Sequence, residues 1–289
     1  MERYVCLDVK KIKTSEIMKY CIFTSLDLRH LFFQINDALE HELTELGHEV
    51  YQTSNLDVQD CDAIILMSDI RSEDVEGFLI NNAHMSYILY VTEPFNVMPI
   101  KKVQRFSYIV RRFPPECIWT YSHANIKKIR QLCNVPVYYC PPGYSIAYDY
   151  SIDQSHTIPL KYYTVINHAS DRRIQLIKEQ IDVENVSCWT HAEWAEKMKN
   201  MILVNVHKIV GDERSALEML RIAPVLSNGV SIVSENSDID DMKTYDTFIT
   251  FTSVESFKDL VIKKVDVEKY KRNFAFKDIL HRCLNAKLT

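Results

Sequence analysis

The sequence predicts an α/β fold in two similarly built halves, and three observations predict it. Short apolar runs such as KYCIFTS, DAIILM, YILYVTE and MILVNV alternate with segments of helical apolar spacing, the pattern of a mostly parallel sheet with helices on both faces. The alternation stops at PPGYSIAYDYSIDQSHTIP, residues 141–159, where prolines, serines and tyrosines replace the periodicity, and then starts again. A chain of 289 residues is also long enough for two such units, each with its own core.

The elements follow in order. After a charged leader, residues 1–14, the unit 15–143 opens with a strand at 19–25 and a helix from Leu31 to Leu46 that Gly47 stops. EVYQT, DAIILM, YILYVTE, CIWTY and VYYC are its further strands. A linker over 144–160 leads to the second unit, 161–265. There YYTVIN, NVSCW, MILVNV, VSIVSE and YDTFITF read as strands; DRRIQLIKEQI, HAEWAEKMKN, a stretch from about Ser215 to Leu226 and SVESFKDLVIK read as helices. The tail, 266–289, is expected as an amphipathic C-terminal helix from about Val267 to Leu284.

Composition narrows the function. With 47% hydrophobic and 25% charged residues the chain reads as globular and intracellular, and the absence of a signal-like start or a long apolar run predicts a cytoplasmic protein with no integral membrane segment. A net charge of −5 and a pI near 6.1 speak against a general nucleic-acid surface. Eight cysteines without CxxC spacing, and ten histidines without HExxH, predict reduced thiols and no metal site. With 5 glycines and no GxGxxG, GxxxxGK[ST] or GxSxG, dinucleotide, P-loop and serine-hydrolase chemistry lack support, and no bound cofactor is expected.

Polar groups at strand ends remain as candidates, because parallel sheets bind ligands outside the carboxyl ends of their strands, here in a cleft between the halves. NHASDRR, 167–173, leads into a helix, so Arg172 and Arg173 can clamp a diphosphate; a solvent-facing basic pair is the alternative. Asn205 and His207 close MILVNV and can meet a phosphate or sugar hydroxyl, although a strand-end histidine is more often structural. Glu218 falls one turn into the helix that starts near Ser215. As an acceptor-only group it suits the two hydroxyls of a ribose; complementing the helix dipole is the bland explanation. In the first half Asp27, His30 and Glu93 stand at cleft-side edges as candidate bases for an acceptor hydroxyl. Each also has a structural reading: Asp27 as an N-cap, His30 as a packed helix start, Glu93 as a turn cap. Asp238 and Asp240 in SENSDIDD imitate a metal-binding DxD but read as an exposed acidic loop.

These residues carry a resemblance. LVNVHKIVGDERSALEMLRIAPVLSNGVSIVSE resembles the donor-nucleotide segment of GT-B glycosyltransferases, and NHASDRR resembles the earlier loop whose basic residues reach the donor diphosphate. ECIWTYSHANIKKIRQLCNVPVYYCPPGY is similar to the W-D-Y-S…N…P-x-G-Y segment of small GT-B-like proteins, whose strand ending in Glu matches YILYVTE. The resemblance covers residues 80–240. It implies two Rossmann-like domains facing across a cleft, a nucleotide-sugar donor as substrate rather than a cofactor, and a glycan or other hydroxyl acceptor. Arg172 and Arg173 would then face the diphosphate, Glu218 the ribose, and Asn205, His207 and Ser215 the rest of the donor pocket. The paired acid of retaining members falls on Val210, with Asp212 and Glu213 nearby but shifted, so stereochemistry stays open. A non-catalytic descendant of the fold is the main rival reading, and a metal-dependent GT-A-type transferase working through Asp238 and Asp240 a third.

Overall fold

The computed structural model describes residues 17–68, 73–95, 98–152, 159–165, 172–186, 188–207, 215–258 and 260–286. Within them two fully parallel sheets form. The first contains β1 (Lys19–Thr24), β2 (Glu49–Thr53), β3 (Ala63–Ser68), β4 (Ser86–Val91), β5 (Cys117–Thr120) and β6 (Val137–Tyr139), in the order β2-β1-β3-β4-β5-β6. The second contains β7 (Lys161–Thr164), β8 (Val183–Asn185), β9 (Met201–Asn205), β10 (Ile232–Glu235) and β11 (Ile249–Thr252), in the order β11-β10-β9-β7-β8. Read from β8, the second sheet repeats the order of the first, so each reverses direction of growth at one point, between β1 and β3 and between β7 and β9. Register runs straight through both, with Ile22 opposite Ile65 and Tyr163 opposite Leu203. Each half is thus the doubly wound, Rossmann-like unit that the sequence predicts.

Helices cover both faces: α1 (Arg29–Glu45), α2 (Glu73–Asn81), α3 (Ile100–Arg112) and α4 (His123–Ile129) in the first half, and α5 (Arg172–Lys178), α6 (His191–Met198), α7 (Met219–Ser227) and α8 (Ile239–Tyr245) in the second. Strands buried on both sides need apolar residues at every position, and Ala63 to Met67 are all buried. The start of α6 is fixed locally by a capping box: Thr190 accepts from the Glu193 N–H at 3.2 Å while Glu193 accepts from the Thr190 N–H at 2.9 Å. Among the described residues no helix is long and apolar enough to cross a membrane.

One apolar cluster lies on the outer face of each sheet, and a third is continuous between the halves. This shared core takes in Trp119 of β5, Leu203 of β9, Ile222 of α7 and Tyr148 of the expected linker. That linker segment is packed rather than solvated. Ser145 donates to the buried Glu42 of α1 at 2.5 Å, and the Asn228 side chain holds the Tyr148 carbonyl at 2.6 Å and the Tyr150 N–H at 3.1 Å.

Several elements depart from expectation. The tail is helical in two pieces, α9 (Val267–Phe274) and α10 (Phe276–Ala286), broken where Phe274 and Phe276 bond the backbone of Tyr144. α10 then returns to the first half, with Lys277 3.6 Å from Glu45 and the Tyr138 hydroxyl donating to the Ala286 carbonyl at 2.9 Å. SVESFKDLVIK is not a helix beyond one 3-10 turn at Val254–Ser256. Its backbone is served instead by Gln180, which donates to the Val254 carbonyl at 2.6 Å and accepts from the Phe257 N–H at 2.9 Å, while Val254 and Phe257 fill the outer core. β8 ends at Asn185, the first residue of NVSCW, and Tyr245 closes α8 before β11 begins.

Candidate functional site

The segment after β5 in the first half meets the segment after β10 in the second at a seam where Ser122 and His123 bond Asp241. On the first-half side, Val91 pairs with Thr120, so Thr92 and Tyr121 stand one rung further out, followed by Glu93 and Ser122. The hydroxyls of Thr92 and Tyr121 are buried without a hydrogen-bond partner. Burial raises the Tyr121 phenol well above its ordinary range; Glu218 and Glu93 add to this with their negative charge, and Arg221 opposes it. A side chain of the first half is therefore within electrostatic reach of an acid and a guanidinium at the start of α7.

Glu218 occupies the N-cap position of α7, immediately before Met219, rather than one turn inside the helix. The helix starts late because 215–217 are held in non-helical form. The Ser215 carbonyl accepts from Asp238 and the Leu217 N–H donates to Asp241. Glu218 makes no capping bond with its side chain. Its carboxylate pairs with Arg221 at 3.2 Å, with the Glu218 side chain 12% exposed and that of Arg221 29%. This is the i, i+3 arrangement of a helix surface pair, here folded into the seam.

The other expected donor residues divide. Asn205 is buried at the end of β9; its amide donates to Ser234 at 2.9 Å and its side-chain oxygen has no partner. His207 is buried and committed to the loop after β10, with Nε2 3.0 Å from both the Asn236 carbonyl and the Ser237 hydroxyl and its N–H on Glu235 at 3.0 Å. Ser215 is buried, its carbonyl accepting from the Asp238 N–H at 2.8 Å. Arg172 and Arg173 are the first two residues of α5, after the loop that follows β7 at the second switch point. The rest of NHASDRR, 167–171, and Val210, Asp212 and Glu213 lie outside the described residues.

On the acceptor side, Glu93 is half-buried next to Tyr121, and its carbonyl accepts from Asn125 at 3.0 Å. Asp27 and His30 are exposed. Asp27 does not cap α1, whose N-cap position belongs to Leu28, and His30 meets Trp189 of the second half edge-on at 4.9 Å. SENSDIDD is not an exposed loop. Asp238 caps α8, and Lys127 of α4 reaches Asp238 at 3.1 Å and Asp240 at 2.6 Å. The acids that imitate a DxD are thus already engaged by an ammonium and a helix start.

Sequence reasoning missed Tyr121, Arg221 and Asp241. The usable signals were a polar residue directly beyond a predicted strand, a base three residues after Glu218, and an Asp just inside a helix start. A groove of about 610 Å³ lies elsewhere, along α3 between Ile100, Val103, Tyr108 and Arg112, and touches none of these residues.

No protein-family model matches the chain, and no curated protein does. Among solved structures it is similar to an alpha-glucosyltransferase in complex with UDP and a 13-mer DNA containing a central A:G mismatch, at 14% identity and TM-score 0.47 over 92% of each chain. It is also similar to the glycosyltransferase SnogD from Streptomyces nogalater, at 11% identity and TM-score 0.41 over 92% of this chain and 94% of that one. A third is the glycotransferase of kitacinnamycin, at 10% identity and TM-score 0.35 over 84% of this chain and 88% of that one.

Proposed function

We propose that the chain transfers a glycosyl group from a nucleotide-sugar donor, held by the second half, to a hydroxyl acceptor held by the first, without a metal ion. One observation carries this reading. Glu218, an acid placed where it could have capped its own helix, instead pairs with Arg221 with its side chain 12% exposed, within electrostatic reach of Tyr121 of the opposite half. A fixed carboxylate there can accept from both hydroxyls of a ribose.

In this reading Arg172 and Arg173 neutralise the diphosphate as it leaves, the role that metal-free sites give to basic groups. Asn205 offers its open oxygen to the donor, and His207 and Ser215 shape the wall behind it. The bond from the sugar's anomeric carbon to the diphosphate breaks, a bond to the acceptor oxygen forms, and a carboxylate takes the acceptor proton. Of the three candidate bases, Glu93 is favoured over Asp27 and His30 because it shares the Tyr121 environment with Glu218. The free thiols of Cys21, Cys117, Cys140 and the other described cysteines support a cytoplasmic, reducing setting.

Calorimetry with nucleoside diphosphates and their sugars tests the proposal. The wild-type chain is expected to bind at least one, and Glu218→Ala to weaken that binding by about 10–100-fold, the cost of an unpaired charged hydrogen bond. Binding that survives Glu218→Ala unchanged contradicts the reading. Slow donor hydrolysis in the absence of acceptor, unaffected by excess chelator, is expected of the transferase and not of a non-catalytic descendant.

A further inference from the structure

The three aspartates of SENSDIDD join the halves, and the last of them does so from a buried position. Asp241, in the first turn of α8, is 1% exposed. Its carboxylate accepts from the Ser122 hydroxyl at 2.5 Å, the His123 N–H at 2.8 Å and the Leu217 N–H at 3.2 Å. The first two donors form the N-terminus of α4 in the first half. The third belongs to the second half, one residue before Glu218.

Ser122 is the N-cap residue of α4 and accepts from the Ala124 N–H at 3.1 Å, which leaves its own proton for Asp241. A carboxylate at a helix N-terminus meets the positive end of the helix dipole, and here it comes from the opposite half. The segment 215–218 is held a second time where the Asp238 N–H donates to the Ser215 carbonyl at 2.8 Å. Residues 215–217 precede the first turn of α7, which begins on the Glu218 carbonyl, and two of their backbone groups are bonded by Asp238 and Asp241 of α8. α8 in turn is fastened to α4 through Asp241 and through the Lys127 fork on Asp238 and Asp240. Burying a carboxylate is costly unless donors satisfy it, and these three do so from both halves.

We propose that Asp241 is a positioning residue that transmits the placement of the first half to Glu218, so that the carboxylate at the seam is set only when the halves are clasped. The clasp stands on the geometry alone; its link to nucleotide binding rests on the reading of Glu218 given above.

Residue-level amide exchange on the full chain, with no ligand, tests the clasp. In Asp241→Ala the His123 and Leu217 amides are expected to exchange about tenfold faster or more, the scale of a lost hydrogen bond to a charged acceptor. Ser122→Ala, a change in the other half, should speed Leu217 by a smaller factor. Unchanged Leu217 exchange in both variants overturns the proposal. So does acceleration of equal size across every helix in Ser122→Ala, which marks general loss of stability; this milder variant decides the matter if Asp241→Ala does not fold. Calorimetry with UDP, GDP and ADP forms the second arm, in which Ser122→Ala should weaken the tightest binder several-fold, on the order of five. If binding is unchanged while Leu217 exchange has risen, the link to Glu218 is overturned. If the wild-type chain binds none of these probes, the nucleotide reading fails and exchange still decides the clasp.

Discussion

At position 218 a carboxylate stands at the N-cap of α7 and bonds none of the helix's first N–H groups with its side chain. An acid retained only for the helix dipole gains at most about 1 kcal/mol at such a site, and its half-open pair with Arg221 adds little more once solvent screening is counted. Glu218→Ala is therefore expected to shift the thermal midpoint by only a few degrees while weakening nucleotide binding by about 10–100-fold. A large loss of stability with binding intact would return the residue to a structural role. Asp241 gives the opposite kind of prediction. Burial pushes its carboxyl up to about 6, against the pull of the Ser122, His123 and Leu217 donors. The groups around it are His123 and Lys127 on α4, Asp238, Asp240 and Tyr245 on α8, Tyr139 on β6, and Tyr121 after β5. Because the native state holds the proton more tightly than the unfolded chain does, the stability from this group is complete below about pH 4 and is lost as pH rises through 6. Asp241→Asn should flatten that part of the stability profile, as read by chemical denaturation at pH 4, 5, 6 and 7; an unchanged slope would assign it to other groups. The sequence marks position 218 by its spacing to the following turn and strand, a chain-local property, yet puts it one turn inside the helix where the structure has it at the N-cap. The bonding of Asp241 was not legible, since two of its three donors, Ser122 and His123, lie 119 and 118 residues away at the start of α4.

At the scale of elements, the sheet was the readable part. Runs buried on both faces, such as AIILM and CIWT, leave no alternative to a covered strand, and β1 to β6 fall where the runs are. What failed were elements whose backbone is served from elsewhere. Val254, Phe257 and Leu260 recur at helical spacing, yet Gln180 supplies the bonds that a helix would have made for itself. Gln180→Ala should therefore cost about 1–3 kcal/mol by leaving that backbone unpaired, measurable as a lower denaturation midpoint; a neutral result would mean that 254–258 holds without it. The break at Ala275 is likewise set by Tyr144, which no periodicity reveals. Gly143 makes this crossing possible: a Cβ there would stand 2.1 Å from the Phe274 carbonyl oxygen. Gly143→Ala should force α10 off α1 and cost about 3 kcal/mol, the upper range for overpacking. An unaltered melting curve would show that the tail can yield.

For the whole molecule, the two halves meet, among the described residues, through the shared core around Tyr148, the return of α10 to α1, and the α4–α8 clasp. A further contact on the flank of α1 and α6 pairs His191 with Asp37 at 2.8 Å. The sequence predicts two units and a cleft between them, but not this fastening, because every contact in it pairs residues from distant parts of the chain. It follows that a ligand reaching both Glu218 and Tyr121 binds at a seam and not on an open shelf. The most direct measurement is a co-crystal structure with a nucleoside diphosphate. The account predicts ribose hydroxyls within hydrogen-bonding distance of the Glu218 carboxylate and the diphosphate beside Arg172 and Arg173. A nucleotide bound away from the seam, or one at the seam with Glu218 still turned to Arg221 and its ribose untouched, would contradict it.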